Sequence, residues 1–323
     1  MKTIVQNLTK YFLLFAVILA FIIFGMLNTA FFNISNVMTI LKSVSVTMIL
    51  ALGMILVVNV GEINFAIGSQ LTLASVVIGV LLDSDTFHNY WLAVLAALVV
   101  VEVTMIISVF LRIKLNVPSF IATLAMSAIC DAINKYYLSN TSLISTKWPE
   151  ILLYFGRTYL GNLVPLVFVI TLALAIIVFI FMERTVQGRN MYAVGANPTA
   201  SAQVGIKNDL LKVVAFLMCG VLVTIAGMMQ ISIDSCVSPT TGANYCLPVV
   251  AATMLGATFL KPGKFNVPGL FVACIFTVVV RIGVTSIGAG AFATDLVQGV
   301  ILLIAVGLIA NIRPEGLPSV SFG

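Results

Sequence analysis

Residues 183–210 read ERTVQGRNMYAVGANPTASAQVGIKNDL, a polar passage in a chain whose remaining length is almost wholly compatible with lipid. Apolar stretches of membrane-spanning length, 162–182 and 210–231, flank it. It carries Arg184, Arg189 and Lys207 against Glu183 and Asp209, with Lys212 just beyond, and three glycines, Gly188, Gly195 and Gly205. Asn197 is suited to cap a helix by accepting a backbone N–H, and Pro198 to its first position. The spacing predicts a short helix from Pro198 through Thr199, Ala200, Ser201, Ala202, Gln203 and Val204, which Gly205 ends. So short a helix is marginal alone, so docking on a partner gives it a reason to persist. Its small residues allow close approach and Arg189 offers bonds to carboxylates. This is the pattern of a chain moved by something else.

Outward from that passage, composition sets the class. Of 323 residues 61% are hydrophobic and only 8% charged, where a soluble domain carries about 25% charged residues. One integral membrane domain over 1–323 fits, with 183–209 as its cytoplasmic passage. The net charge of +5 is spread singly at the ends of apolar runs, as topology requires, so it signals no nucleic-acid partner. The apolar run Tyr11–Leu27 is too long for a typical signal core and lacks a small-residue cleavage site; it reads as a retained first helix. Cys130, Cys219 and Cys274 lie in apolar runs and read as small core residues, while Cys236 and Cys246 flank a loop where pairing is the lesser expectation. With one histidine, His88, and no CxxC, no metal site is expected.

Crossing the hydrocarbon core takes about 20 mostly apolar residues. Ten stretches qualify: 11–30, 38–60, 66–82, 90–111, 118–138, 162–182, 210–231, 246–260, 266–284 and 293–311, the third and eighth being short and interrupted. With the N-terminus inside, eleven of the sixteen basic residues fall at inner ends, against Lys42, Lys135, Lys147, Arg157 and Arg281 outside. Basic residues near helix ends set orientation, so both termini and the passage 183–209 are expected in the cytoplasm.

Polar groups at membrane depth come next. Residues 59–72 read NVGEINFAIGSQLT. Broken backbone at this depth needs protein or a water-filled cavity around it. Two readings stand: a pathway lining in which Asn59, Glu62, Asn64, Phe65, Ser69 and Gln70 face a polar solute, or an inner turn where Glu62 meets water. Glu102, mid-span in VVVEVT, should face the bundle interior, most simply bonded to a neighbouring helix. Asp131 and Lys135, four apart, are placed to pair. No GxxxxGK[ST], HExxH or GxSxG motif occurs, so nothing points to ATP hydrolysis or other catalysis in this chain. GEINFAIGSQ after the second stretch and LGATFLKPGKFNVPG after the eighth are interruptions at corresponding places, the usual pointer to repeats meeting at a transport pathway. Their likeness does not by itself establish a repeat.

At these residues the chain resembles the permease subunits of carbohydrate ABC importers, the ribose and galactose type, over almost its whole length. NTAFFNISNVMTILKSVSVTMILALGMILVVNVG is similar to the approach to that family's second helix, and GEINFAIGS stands where such permeases usually show a GGIDLSVGS-like signature. GRNMYAVGANPTASAQVGI resembles their cytoplasmic coupling segment, and the stretch from LGATFLKPGKFNVPG onward follows their LGGTSL…GG pattern. Four collinear likenesses are more specific than any one. Departures are plain: Glu62 replaces the usual second glycine, Asn64 the usual aspartate, and Ala257 and Pro262 other usual glycines.

The resemblance implies an all-α integral membrane protein of about ten transmembrane helices with the ABC-importer permease fold, multi-pass in a bacterial inner or plasma membrane. It implies pairing with a second permease copy or a sister permease, ABC ATPase subunits inside and an extracytoplasmic substrate-binding protein outside. ATP and Mg would belong to the ATPase, with no cofactor in this chain and a small polar solute as cargo. Gly188, Arg189, Tyr192, Asn197, Pro198, Ala200 and Gly205 would carry the coupling to the ATPase. GEINFA leans toward branched-chain amino-acid permeases, so an amino-acid or nucleoside ABC permease is the alternative, and an ion-coupled secondary transporter a more distant one.

Overall fold

The computed structural model describes residues 2–84, 89–161, 163–260 and 263–312. Asp85, His88, Asn162, Lys261, Pro262 and Arg313, and the side chains of Lys2 and Lys10, lie outside what it describes. Thirteen α-helices make up about four-fifths of the described residues: α1 Lys2–Leu27, α2 Ile34–Asn59, α3 Ile67–Asp83, α4 Tyr90–Lys114, α5 Ser119–Leu138, α6 Glu150–Arg157, α7 Leu166–Arg184, α8 Val186–Ala196, α9 Pro198–Gln203, α10 Asn208–Asp234, α11 Ala243–Gly256, α12 Val267–Ser286 and α13 Ala291–Ile312. Each of the ten apolar stretches coincides with one of these helices. Five of them, α2, α4, α7, α10 and α12, are long and apolar enough to cross a membrane by length and composition. The α11 helix is 14 residues, about 21 Å at 1.5 Å per residue, short of a ~30 Å hydrocarbon core. It stops at Gly256, where a side chain would run into the backbone of Leu270 on α12.

Burial sorts the helices into an interior and a shell. From Val44 to Asn59 every residue of α2 is buried, and α3 is nearly as enclosed. The shell helices turn apolar side chains outward, as with Leu95, Val99 and Ile106 on α4 and Ile176, Ile177 and Ile180 on α7. In lipid such faces need no cover, and helix association depends on close packing instead. Glycines supply it: a side chain at Gly68 on α3 would overlap the Gly242 carbonyl at the start of α11, and one at Gly242 the Gly68 carbonyl. At one end residues 143–165 make a small cap. Within it α6 packs on α10, where the Gly156 N–H donates to Ser232 Oγ at 2.6 Å, and a two-residue hairpin pairs Tyr159–Leu160 with Val164–Pro165. Trp148 Nε1 donates to the Gly79 carbonyl on α3 at 3.0 Å.

Cys236 and Cys246 are free, as the greater expectation had it, the Cys246 thiol lying 3.3 Å from the Phe65 carbonyl. Two local expectations are corrected. Asp131 and Lys135 form no ion pair in the structure; their helix points Asn134 rather than Lys135 into the protein. Glu102 does face the interior, against Gly220 of α10, but neither carboxylate oxygen has a hydrogen-bond partner among the described residues.

Candidate translocation and coupling site

The chain breaks between α2 and α3, where Gly61 takes φ +81° and lets the backbone reverse. A break here strands amides that a helix would have satisfied, and the protein supplies substitutes. Glu62 N–H donates to the Val57 carbonyl at 3.2 Å. Ile63 N–H reaches Ser119 Oγ at 3.2 Å, Phe65 N–H reaches Thr123 Oγ1 at 3.1 Å, and Ala66 N–H reaches Asn64 Oδ1 at 3.0 Å. Farther along, Ser69 Oγ meets Ser127 Oγ at 2.7 Å, and Asn134 Nδ2 donates to the Ser69 carbonyl at 3.1 Å. One polar stripe of α5 (Ser119, Thr123, Ser127, Asn134) therefore serves the broken segment and the start of α3. Its i, i+4 spacing in SFIATLAMSAICDAIN was the available signal, which the sequence reading passed over.

Among the predicted pathway residues, Asn64 and Gln70 are fully buried and bonded to each other, Asn64 Nδ2 donating to Gln70 Oε1 at 2.9 Å. Gln70 Nε2 in turn donates to Thr104 Oγ1 on α4 at 2.9 Å. Asn59 is buried with its amide nitrogen near the Met182 sulfur and its Oδ1 unbonded. Phe65 is half-buried.

Glu62 does not meet water as an inner turn would have it. It is 3% exposed and takes two cations at once: Arg112 Nε lies 2.8 and 3.0 Å from its two oxygens, and Lys212 Nζ lies 2.6 Å from Oε1. Arg112 ends α4 and Lys212 begins α10, so one carboxylate joins the α2–α3 break to two further helices. Taking charges out of water is unfavourable, and geometry this close is what offsets it.

The polar passage 183–210 folds as two helices. Thr185 caps α8, its Oγ1 accepting from Gly188 N–H at 3.0 Å, and any side chain at Gly188 would strike the last turn of α7. Asn197 caps α9 with its Oδ1 2.9 Å from Ala200 N–H, Pro198 stands at the first turn, and Gly205 follows with φ +84°. Ala200 and Ala202 are exposed, as is Arg189, which donates to the Arg184 carbonyl at 3.4 Å. Ser201 and Asn208 tie α9 to the start of α10, Asn208 Nδ2 donating to the Pro198 carbonyl at 2.7 Å.

The inner face of α8 is the unexpected part. Gly195 packs so closely on the end of α2 that a Cβ there would overlap the Asn59 carbonyl oxygen. One turn earlier Tyr192 OH donates to the Phe265 carbonyl at 2.7 Å, and Lys264 Nζ sits 4.8 Å from the centre of its ring. Burial, with a smaller contribution from Glu183, pushes the Tyr192 hydroxyl well above its ordinary pKa. This single helix therefore touches both breaks, at Asn59 and Gly61 after α2 and at Lys264 and Phe265 before α12. Tyr192 is thereby held partly inside the protein, whereas Arg189, Asn197, Pro198, Ala200 and Gly205 stay open on the surface.

Among known proteins, the family model for the permease component of branched-chain amino-acid transport systems matches residues 36–306. The ribose import permease of Escherichia coli K12 is 30% identical over 297 residues, covering 91% of each chain. That of Bacillus subtilis 168 is 29% identical, covering 94% of this chain and 92% of its own. The chain belongs to the permease family of carbohydrate ABC importers. The fructose import permease of Rhizobium meliloti, 28% identical over 330 residues, matches 97% of this chain and 90% of its own. The chain is thus a multi-pass membrane protein and a translocation subunit, in a family that works with ATPase and substrate-binding partners. The amino-acid and ion-coupled alternatives are not favoured by these relatives.

Proposed function

We propose that the chain forms the translocation route of an ATP-driven importer for a sugar or a similarly hydroxylated small solute. One geometric observation carries this reading: α8 rests at once on the two backbone breaks of an otherwise regular helical protein. A push on the exposed α8–α9 pair reaches both. The solute class follows from the relatives named for ribose and fructose.

In this reading about ten helices span the membrane, both termini and 183–209 lie in the cytoplasm, and the two breaks belong to related halves of the chain. A second permease copy or a sister permease completes the route, ATPase subunits holding ATP and Mg grip Arg189, Asn197, Pro198 and Ala200, and a substrate-binding protein docks outside. Gly188 and Gly205 set the turns on either side of the grip, and Tyr192 passes movement to the second break. Asn59, Glu62, Asn64, Phe65, Ser69 and Gln70 border the route as a wall whose internal bonds rearrange between inward- and outward-facing states. A ligand shifts such an equilibrium only through differential affinity for the two states, so nucleotide in the partner has to favour one arrangement of α8. Deleting the chain from its host and following uptake of radiolabelled ribose, fructose, galactose and leucine tests the reading. Loss of sugar uptake alone is expected; loss of leucine uptake alone would sink it.

A further inference from the structure

At the end of the molecule away from α8 and α9, α11, α12 and α13 border a half-open cavity of about 250 Å³ lined by Asn244, Arg281, Ile282, Thr285, Thr294, Asp295 and Gln298. Drug-sized ligand sites occupy roughly 300–1,000 Å³, so this one suits something smaller. Three polar side chains of α13 line it, Thr294, Asp295 and Gln298. The Thr294 hydroxyl is buried and unbonded among the described residues. Gln298 is buried too, 9% exposed, whereas Asp295 stands exposed at the edge and forms no ion pair among the described residues. Buried polar groups are nearly always bonded, and exceptions call for an explanation such as an absent ligand.

The opposite wall is braced from behind. Arg281 lies 5.2 Å from the centre of the Tyr245 ring and donates to the Asn244 carbonyl at 3.5 Å. Tyr245 OH donates to Gln230 Oε1 at 2.7 Å, and Gln230 Nε2 donates to Asp234. This chain of contacts fixes the guanidinium across three helices while leaving it in the cavity wall. Arg281 and Asp295 cancel in formal charge, so the lining favours neither an anion nor a cation. It offers a carboxylate that accepts, a guanidinium that donates, and amides and hydroxyls that do either. A molecule whose every edge is both donor and acceptor, a neutral polyol of monosaccharide size, uses all of them.

We propose that this cavity is a solute site at the outer mouth of the permease, holding a neutral monosaccharide between Arg281 on one side and Asp295 and Gln298 on the other. The inference rests on the sugar-import reading and deepens it. Two measurements separate their failures. Uptake of radiolabelled ribose, fructose and galactose in the host, with Asp295→Asn, Gln298→Ala or Arg281→Gln in place of the wild type, is followed as KM and maximal rate at matched membrane levels. Equilibrium dialysis of the same sugars against the purified permease reads the site directly. Expected is a KM raised about tenfold or more by Arg281→Gln and by Asp295→Asn, each weakening a hydrogen bond to a charged group, and about threefold or more by Gln298→Ala, which removes a neutral one, with binding to the purified chain weakened in parallel. No sugar uptake by the wild type sinks the sugar reading. Wild-type uptake with unchanged KM in all three variants, or sugar binding indifferent to them, overturns the site alone. The double variant Arg281→Asp with Asp295→Arg guards against a further error. If swapping the charges restores uptake that either single change abolishes, the two residues work as an ion pair and not as a solute clamp, and the proposal falls.

Discussion

Glu62 is the residue on which the interior turns. Sequence similarity puts a carboxylate where related permeases usually have glycine, and its three-dimensional partners explain how it is tolerated: Arg112 and Lys212 both reach it. Removing one member of a buried ion pair costs roughly 3–5 kcal/mol. Both cations here retain some contact with solvent, 23% and 13% exposed, so Glu62→Ala is expected at the lower end of that range. Thermal unfolding of the purified permease should show Glu62→Ala well below wild type and Glu62→Gln between them, since glutamine keeps hydrogen bonds to Arg112 and Lys212. Equal stability of all three would remove the clamp from the account. None of this was legible in the sequence, because Arg112 and Lys212 stand 50 and 150 positions away and periodicity says nothing about which helix ends meet. Asn64 and Gln70 are a related case. The sequence marked them as polar groups at depth, yet their mutual bond and the one to Thr104 appear only when α3 and α4 are packed. Gln70→Ala strands the Asn64 amide, at about 1–3 kcal/mol for a group left unsatisfied, while the Thr104 hydroxyl keeps its bond to the Val101 carbonyl. If the segment borders the route, uptake and substrate preference should change at normal expression; unchanged uptake and preference in Asn64→Ala and Gln70→Ala would remove these residues from it.

At the scale of elements, α9 was the best-read part of the chain, and α8 was not read as a helix at all. Asn197, Pro198 and Gly205 fix both ends of α9 through local chemistry, the cap, the ring-fixed φ and the left-handed turn, and all three appear as the spacing predicts. The inner face of α8 was not read, because Gly195 and Tyr192 act through Asn59 and Phe265, residues distant in sequence. That difference yields a two-part prediction. Gly195→Val pushes α8 off the end of α2 and should uncouple the complex, so that ATP hydrolysis persists while solute no longer stimulates it. Replacing the exposed Ala200 and Ala202 by glutamate acts on the other side of the same element and should prevent ATPase docking while the permease stays inserted and folded. Size-exclusion chromatography of the complex separates the outcomes: the first variant should co-elute with its ATPase and the second should not. Intact stimulation in Gly195→Val would mean that coupling bypasses α8.

For the whole molecule, the distribution of charge and the placement of motifs give two linked expectations. No phosphate-binding loop exists in the sequence, so the purified single chain should show no ATP hydrolysis above buffer until an ATPase subunit is added. Orientation is the second. Arg112 and Lys212 meet at Glu62, and Lys264 stacks on Tyr192, so basic residues gather at the end that also carries α8 and α9. At the other end Arg157 Nη2 donates to Ser235 Oγ at 3.3 Å and Lys42 lies over the Tyr159 ring. An excess of lysine and arginine marks the cytoplasmic side, so residues 183–209 and both termini are expected inside. A cysteine introduced at Thr199 reads this directly, provided that Cys236 and Cys246, both partly exposed, are first changed to serine. A membrane-impermeant maleimide should then leave Thr199→Cys unlabelled in intact cells and label it in inverted vesicles, while a control cysteine at the exposed Thr240 does the reverse. Labelling of Thr199→Cys in intact cells would place the coupling helices outside, away from any ATP, and would overturn the import mechanism along with the topology.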